Sequence, residues 1–74
     1  MSNQINLINY CTFYLENQRH PKPSTNSYEK RLSDWRVHMR YASVFKALPN
    51  TVPLSAEEMA RVLAIDPKFL NDDS

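Results

Sequence analysis

Glycine is absent from this 74-residue sequence, and its absence excludes several kinds of site and fold. Glycine-rich phosphate loops and dinucleotide fingerprints need glycine where the backbone turns sharply or approaches a phosphate. Most two-residue β-hairpin turns also need glycine, because their central residues adopt positive φ angles. The sequence therefore favours helices joined by loops rich in proline, asparagine and serine.

The sequence also has little cysteine, no long apolar run and no large excess of charge of either sign. Cys11 is the only cysteine, which excludes an internal disulfide and a cysteine-based metal cluster. The longest apolar run, Val62 to Ile65, is too short for a transmembrane helix, and the net charge is only +1. With no signal-peptide pattern and no disulfide, we expect a cytoplasmic protein that does not enter a membrane.

The spacing of apolar residues predicts an all-α fold, a single-domain three-helix bundle with a short C-terminal helical turn. We expect one helical domain over residues 1–74, with helices at about 3–18, 27–48 and 55–65 and the turn at 67–71. The hydrophobic content of 42% is enough for one modest core.

The first predicted helix carries an apolar stripe at i, i+3 and i+7, formed by Ile8, Cys11 and Leu15. Leu7 and Tyr14 widen this stripe. We therefore expect this face of the helix to pack into the core.

Helix ends are marked by residues that cap the backbone. Asn17 is predicted to supply the left-handed residue that ends the first helix. Asn26 with Glu29, and Ser55 with Glu58, have the spacing of capping boxes at the starts of the second and third helices.

The second helix is predicted to bury one apolar stripe, formed by Tyr28, Leu32, Trp35, Met39 and Ala42. Trp35 is expected to be the central packing residue and to face Leu15 and either Val62 or Leu63. Asp66, followed by a proline, is predicted to cap a last turn that brings Phe69 and Leu70 onto the core.

The residues with reactive side chains do not form a pattern typical of catalysis. Cys11, His20 and His38 lack the paired spacing of a zinc site, so we expect a buried thiol and two solvated imidazoles. Three short helices seldom enclose a pocket of catalytic size. The sequence therefore predicts no enzyme activity, no metal, no cofactor and no small-molecule substrate.

Basic residues are concentrated between Arg19 and Arg40. Arg36 and Arg40 are i, i+4 neighbours on a predicted solvent face, whereas Arg31 lies nearer the loop that holds Arg19 and Lys22. Arginine binds phosphate with two parallel hydrogen bonds, so these five residues are candidate nucleic-acid contacts. The alternative is a solvated face, or a protein-contact face, partly neutralised by neighbouring acidic residues.

A second candidate surface consists of Val37, Tyr41 and Val44, which are spaced i, i+4, i+7 and lie off the main stripe. Burial under the terminal turn that holds Phe69 and Leu70 is the favoured alternative. If exposed, the three residues form an apolar patch typical of a partner site.

A series of short elements runs in order along the chain: Tyr14 and Leu15 on the first helix, Pro21 and Pro23 in the connector between the first and second predicted helices, Leu32-x-x-Trp35-x-x-x-x-Arg40, and Leu54-Ser55-x-Glu57-Glu58 before Leu63 and Ile65. Over about residues 7 to 70 the chain thereby resembles the helicase-associated domain. This small three-helix module occurs beside helicase domains and in phage and viral proteins, and nucleic-acid binding is ascribed to it. The sequence lacks glycines and a closing Phe-x-Trp that are common in the family. The resemblance implies a core position for Trp35 and a phosphate contact by Arg40.

Two functions stay open at this point. One is a small non-enzymatic, nucleic-acid-associated binding module, in which the basic face of the long helix contacts phosphates. The other is a small stand-alone interaction or inhibitor protein, of the kind that phages encode, which binds a cellular protein.

Overall fold

A computed structural model describes residues 3–45 and 51–71. Within these ranges the chain forms three α-helices and no strand: α1 at Asn3–Asn17, α2 at Ser27–Arg40 and α3 at Ala56–Ile65. The backbone of α1 approaches both α2 and α3, so α1 is the central helix. The predicted all-α, three-helix architecture is confirmed.

The core is built around three aromatic rings from three different elements. Tyr10 of α1 lies 5.1 Å from Phe69 and 5.8 Å from Trp35, and Trp35 lies 5.7 Å from Phe69, measured between ring centroids. Such tilted and edge-to-face contacts add to the free energy of apolar burial. Other buried side chains surround the rings: Leu7, Phe13, Leu32, Met39, Leu54 and Val62. The predicted core position of Trp35 and the docking of Phe69 are confirmed.

The orientation of α1 differs from the prediction. Its core-facing side chains are Leu7, Tyr10 and Phe13. Ile8 and Leu15 are 60% and 58% exposed, so the expected packing of Leu15 against Trp35 is wrong. The physical reason is that α1 carries apolar residues on two opposite faces, and spacing alone fits either of them. The larger aromatic face takes the core.

The buried stripe of α2 begins one turn later than predicted. Leu32, Trp35, Met39 and Ala42 are buried as expected, whereas Tyr28, in the first turn of α2, is 51% exposed.

The continuation of α2 is a π-helical segment, Tyr41–Phe45, in place of the predicted α-helix. The rest of the predicted helix, at 46–48, lies outside the described residues. A π-helical turn contains more residues than an α-helical turn, so the side chains after Arg40 have a different angular spacing from those of α2. Ala42 is the buried residue of this segment.

The caps of α2 and α3 follow the sequence signals. Ser55 and Glu58 form the complete capping box: Glu58 N–H donates to Ser55 Oγ over 3.2 Å, and Ser55 N–H donates to Glu58 Oε1 over 3.0 Å. Asn26 Oδ1 accepts from Glu29 N–H over 2.8 Å. The carboxylate of Glu29 binds elsewhere, so the capping box predicted at α2 is only half formed.

The C-terminus of α1 uses a different residue from the one predicted. Gln18, with φ of 54°, adopts the left-handed conformation, and its N–H donates to the carbonyl of Tyr14 over 2.7 Å. Asn17 stays helical, because its side-chain amide reaches back to the carbonyl of Phe13 at 3.0 Å.

Candidate functional site

Arg36 is buried and holds the C-terminal turn in place. Its Nε donates to the carbonyl of Phe69 over 2.9 Å, and its Nη2 donates to the carbonyls of Lys68 and Asn71 over 2.8 and 2.9 Å. The prediction that Arg36 faces solvent is therefore wrong. A helical turn that ends leaves carbonyls without intrahelical partners, and the planar guanidinium can satisfy several of them together.

Arg19 also has an intramolecular role. It forms a bidentate pair with Glu29, with distances of 2.7 Å from Nη2 to Oε1 and 3.2 Å from Nη1 to Oε2. Its guanidinium lies 5.1 Å from the centroid of the Phe13 ring. The Lys22 N–H donates to the same carboxylate over 3.1 Å. The hydrogen bond from Arg19 outweighs burial and lowers the pKa of Glu29 to about 2. This ion pair holds the connector against α2.

The other candidate basic residues lie nearer to solvent. Lys22 and Arg31 are exposed. Arg40 is half-buried, and its Nη1 donates to the carbonyl of Asn71 over 3.2 Å. Arg19, Lys22 and Arg36 line one cleft of about 600 Å³ between the connector and α2, and Arg31 and Arg40 do not. The five candidates therefore do not form a single basic face.

A buried polar cluster joins α1, the connector and the C-terminal turn. Tyr10 Oη donates to Asp66 Oδ2 over 2.7 Å, and His20 Nε2 lies 2.9 Å from the same oxygen. Lys68 N–H donates to Asp66 Oδ1 over 3.1 Å, which confirms Asp66 as the cap of the last turn. His20 is thus bound to a buried carboxylate, and the expectation of a solvated imidazole is wrong.

The chemistry open to this cluster is limited by burial. Tyr10 and Asp66 have no exposed surface, so neither group can reach a substrate. Burial raises the pKa of Tyr10, and the hydrogen bond to Asp66 raises it further, so the phenol keeps its proton. The hydrogen bond between Tyr10 and Asp66 therefore joins α1 to the C-terminal turn inside the core.

The remaining candidates for metal binding or covalent chemistry do not come together. Across residues 3–45 and 51–71, no group of three or more histidine, cysteine or acidic residues could hold a metal ion. Cys11 is half-buried, less than the buried thiol we expected, and burial raises its pKa. His38 is exposed. No helix in the described part of the chain is long and apolar enough to cross a membrane.

An exposed aromatic surface lies just beyond α2. Tyr41, Val44 and Phe45 are 40%, 50% and 60% exposed, and Val37 at their edge is half-buried. The favoured prediction, burial of Tyr41 and Val44 under the terminal turn, is wrong. Phe69 of that turn packs against Trp35 instead. We call Val37, Arg40, Tyr41, Val44 and Phe45 the aromatic surface.

The geometry of the aromatic surface is ordered. The rings of Tyr41 and Phe45 lie 5.6 Å apart, and the guanidinium of Arg40 lies 5.3 Å from the centroid of the Tyr41 ring. Val37, Tyr41 and Val44 were predicted as a candidate surface from their spacing, and Phe45 was not. An α-helical register places Phe45 at the edge of the core stripe, and the sequence gives no clear sign of the π-helical segment that turns it outward.

A second apolar surface lies on the outer side of α1. Ile5, Ile8 and Leu15 are exposed there, and Thr12 lies among them. Ile8, Thr12 and Leu15 also line a groove of about 490 Å³ between α1 and α3, and Arg61 and Ala64 of α3 contribute to its other wall. Ile8 and Leu15 of this face were predicted to pack into the core.

None of the protein-family models, curated proteins or solved structures compared with the chain matches it. The resemblance to the helicase-associated domain therefore stays a prediction from the sequence.

Proposed function

We propose that this protein is a small non-enzymatic module that binds another protein through the aromatic surface. The observation that carries the proposal is the exposure of three large apolar side chains in one π-helical segment, Tyr41, Val44 and Phe45. Aromatic and arginine side chains contribute most of the binding free energy in many protein interfaces. Here both kinds lie together, because Arg40 covers one face of the Tyr41 ring.

The local backbone supports this proposal. π-Helical segments are rare and occur frequently at functional sites, since they forgo regular α-helical hydrogen bonding. In this segment Tyr41 and Phe45 end as adjacent rings that point away from the core. A binding role gives a reason for a backbone geometry that packing alone does not require.

The charges around the surface indicate the chemistry of the partner. Arg40 forms part of the surface, and His38, which is exposed, precedes it by two residues. Of the acidic residues of α2, Glu29 lies in the first turn and Asp34 is paired with Lys30 over 3.3 Å. A complementary partner presents an apolar groove or helix face bordered by carboxylates.

The full chain is first used as bait to capture a partner. The affinity of that partner is then measured for the unchanged chain and for two variants. The double change Tyr41→Ala, Phe45→Ala removes both rings and is expected to weaken binding about 30-fold or more. The control is Tyr28→Ala, which removes an equally exposed ring from the other end of α2. Equal binding by both variants, or loss of binding with Tyr28→Ala alone, contradicts the proposal.

Nucleic-acid binding is a second candidate function, favoured by one observation. The side chains of Lys22 and Arg31 are exposed and form no hydrogen bond or ion pair within the described ranges. With Arg40 they offer about three phosphate contacts. A plot of the logarithm of the binding constant for duplex DNA against the logarithm of the salt concentration should therefore have a slope no steeper than about −3. Duplex and single-stranded oligonucleotides titrated at low and moderate salt test this function. The change Lys22→Ala, Arg31→Ala should flatten the slope by about 2, and an absence of binding at low salt contradicts it.

A further inference from the structure

Arg36 carries a buried positive charge that no carboxylate neutralises within residues 3–45 and 51–71. The residue is only 7% exposed, and its hydrogen bonds all end on backbone carbonyls of the C-terminal turn. By contrast, the guanidinium of Arg19 is paired with the carboxylate of Glu29. A buried charge without a counter-charge is unfavourable, because its surroundings screen it less than water does. An anion that reaches Arg36 is therefore attracted more strongly than one at an open surface.

One edge of the Arg36 guanidinium is open to such an anion. Its Nε and Nη2 are directed at the C-terminal turn, whereas Nη1 forms no hydrogen bond with any residue that the structure describes. Nη1 also keeps some accessible surface, so its N–H groups can donate to a ligand. Arg36 lines the cleft of about 600 Å³ between the connector and α2, which gives a ligand from solvent access to this side chain.

Two further donors line the same cleft. Lys22 is exposed and Ser33 is half-buried. Neither side chain forms a hydrogen bond or ion pair with another residue in the described part of the chain. Pro21, Pro23 and Val37 supply apolar walls. A few polar groups among apolar walls, in a volume of roughly 300–1,000 Å³, are typical of sites for small organic ligands.

Asp34 limits the charge that such a ligand can carry. It also lines the cleft, and its carboxylate is paired with the exposed ammonium group of Lys30 over 3.3 Å. This carboxylate repels a phosphate dianion more strongly than a singly charged carboxylate. Arg19 adds little attraction, because Glu29 already neutralises it. The charges around the cleft therefore favour a monoanion.

We propose that this cleft binds an organic monocarboxylate with an apolar body. The carboxylate accepts hydrogen bonds from Arg36 Nη1 and from Lys22, and the apolar body packs between Pro21, Pro23 and Val37. A free acid and the C-terminal carboxylate of a peptide offer this same chemistry. The three exposed side chains that carry the proposed protein interface lie outside the cleft lining, so the two proposals can fail separately.

The probe is 4-phenylbutyrate, titrated into the full chain and followed by two-dimensional NMR. We expect saturable shifts of the Lys22, Ser33 and Val37 amides and of the Arg36 Nε–H, with about millimolar affinity for so small a ligand. The shifts are measured on the unchanged chain, so the test needs no destabilised Arg36 variant. Uncharged 4-phenylbutanamide should bind about tenfold more weakly, because it lacks the charge-assisted hydrogen bonds. Equal binding of acid and amide, or the absence of saturable shifts, overturns the proposal.

Lys22→Met should weaken binding of 4-phenylbutyrate about fivefold, since it removes one exposed positive charge. The matched control, Arg31→Met, removes a positive charge from an exposed site outside the cleft lining and should bind like the unchanged chain. Equal affinities for the two variants overturn the placement of the carboxylate in this cleft.

Two further ligands define the class and the source of the carboxylate. Phenyl phosphate should bind more weakly than 4-phenylbutyrate, and tighter binding overturns the assignment to a monoanion. A tripeptide that ends in phenylalanine with a free carboxylate separates the two sources. Tighter binding than that of 4-phenylbutyrate assigns the site to a chain end, and weaker binding assigns it to a free acid.

Discussion

Arg36 of α2 donates a hydrogen bond of 2.9 Å to the backbone carbonyl of Phe69, the residue whose ring completes the aromatic core. The side chain of Phe69 packs between Tyr10 and Trp35, while its backbone is held from the outside by Arg36. The C-terminal turn is therefore fixed by an apolar contact and a charged hydrogen bond at the same residue. Arg36 lies in a basic segment of the sequence but stabilises the fold. It is therefore not one of the exposed basic side chains of α2.

Replacement of Arg36 should destabilise the protein strongly. Arg36→Ala leaves the carbonyl of Phe69 without its donor and takes one of two donors from the carbonyls of Lys68 and Asn71, so we expect a loss of about 3 kcal/mol in the free energy of unfolding. Arg36→Lys should recover only part of it, since an ammonium group cannot reproduce the planar fork. Urea denaturation with near-ultraviolet circular dichroism measures the effect. The control Arg31→Ala, at an exposed site, should change stability by less than about 0.5 kcal/mol; equal midpoints for Arg31→Ala and Arg36→Ala would show that the Arg36 contacts do not stabilise the fold.

Removal of the Tyr10 hydroxyl tests the buried polar cluster. Tyr10→Phe keeps the ring contacts but takes a donor from the buried carboxylate of Asp66, so we expect a loss of about 1–3 kcal/mol. Tyr14→Phe is the matched control, because Tyr14 is half-buried on the same helix and contacts the His20 ring. Thermal unfolding of both variants gives the comparison. A loss for Tyr10→Phe as small as that for Tyr14→Phe would contradict a stabilising role for the cluster.

The capping box of α3 gives a smaller and more local effect. Ser55→Ala removes the oxygen that accepts from the Glu58 N–H, and we expect a loss of about 1 kcal/mol. Ser27→Ala, at the first residue of α2, is the control and should change stability by only a few tenths of a kcal/mol. Chemical denaturation followed by far-ultraviolet circular dichroism resolves the two, and indistinguishable midpoints would speak against the cap.

Local signals in the sequence predicted local structure well. The Ser55–Glu58 box, the cap at Asp66 and the buried positions of Leu32, Trp35 and Met39 all appear in the structure. Each depends on residues within one or two turns of each other. For such elements, backbone hydrogen bonding and helical periodicity are sufficient to determine the outcome.

Two of the wrong predictions concern side chains whose partners lie far along the chain. The carbonyl partners of Arg36 lie 32 to 35 residues further along the chain, and no pattern around Arg36 reveals them. His20 is drawn to Asp66 across 46 residues in the same way. The face of α1 that packs inward was also undetermined, because both faces are apolar. Exposure of Tyr41 depends on the π-helical segment, which has no clear sequence signature.

The ion pair between Glu29 and Arg19 should make stability depend on acid pH. In the folded chain the Arg19 hydrogen bond holds the pKa of Glu29 at about 2, below its ordinary value of 4.5. The folded state thus binds this proton less readily than the unfolded state, so the contribution to stability is complete above pH 4.5. It is lost as the pH falls from 4.5 towards 2. We expect urea midpoints measured from pH 7 to pH 2.5 to fall over this window.

Glu29→Gln should lower stability at pH 7 and flatten the fall below pH 4.5. The control Glu57→Gln alters an exposed i, i+4 pair with Arg61 and should leave the profile almost unchanged. If Glu29→Gln loses stability with acid as steeply as the unchanged chain, the acid sensitivity arises from another group and the connector is not fastened by this carboxylate.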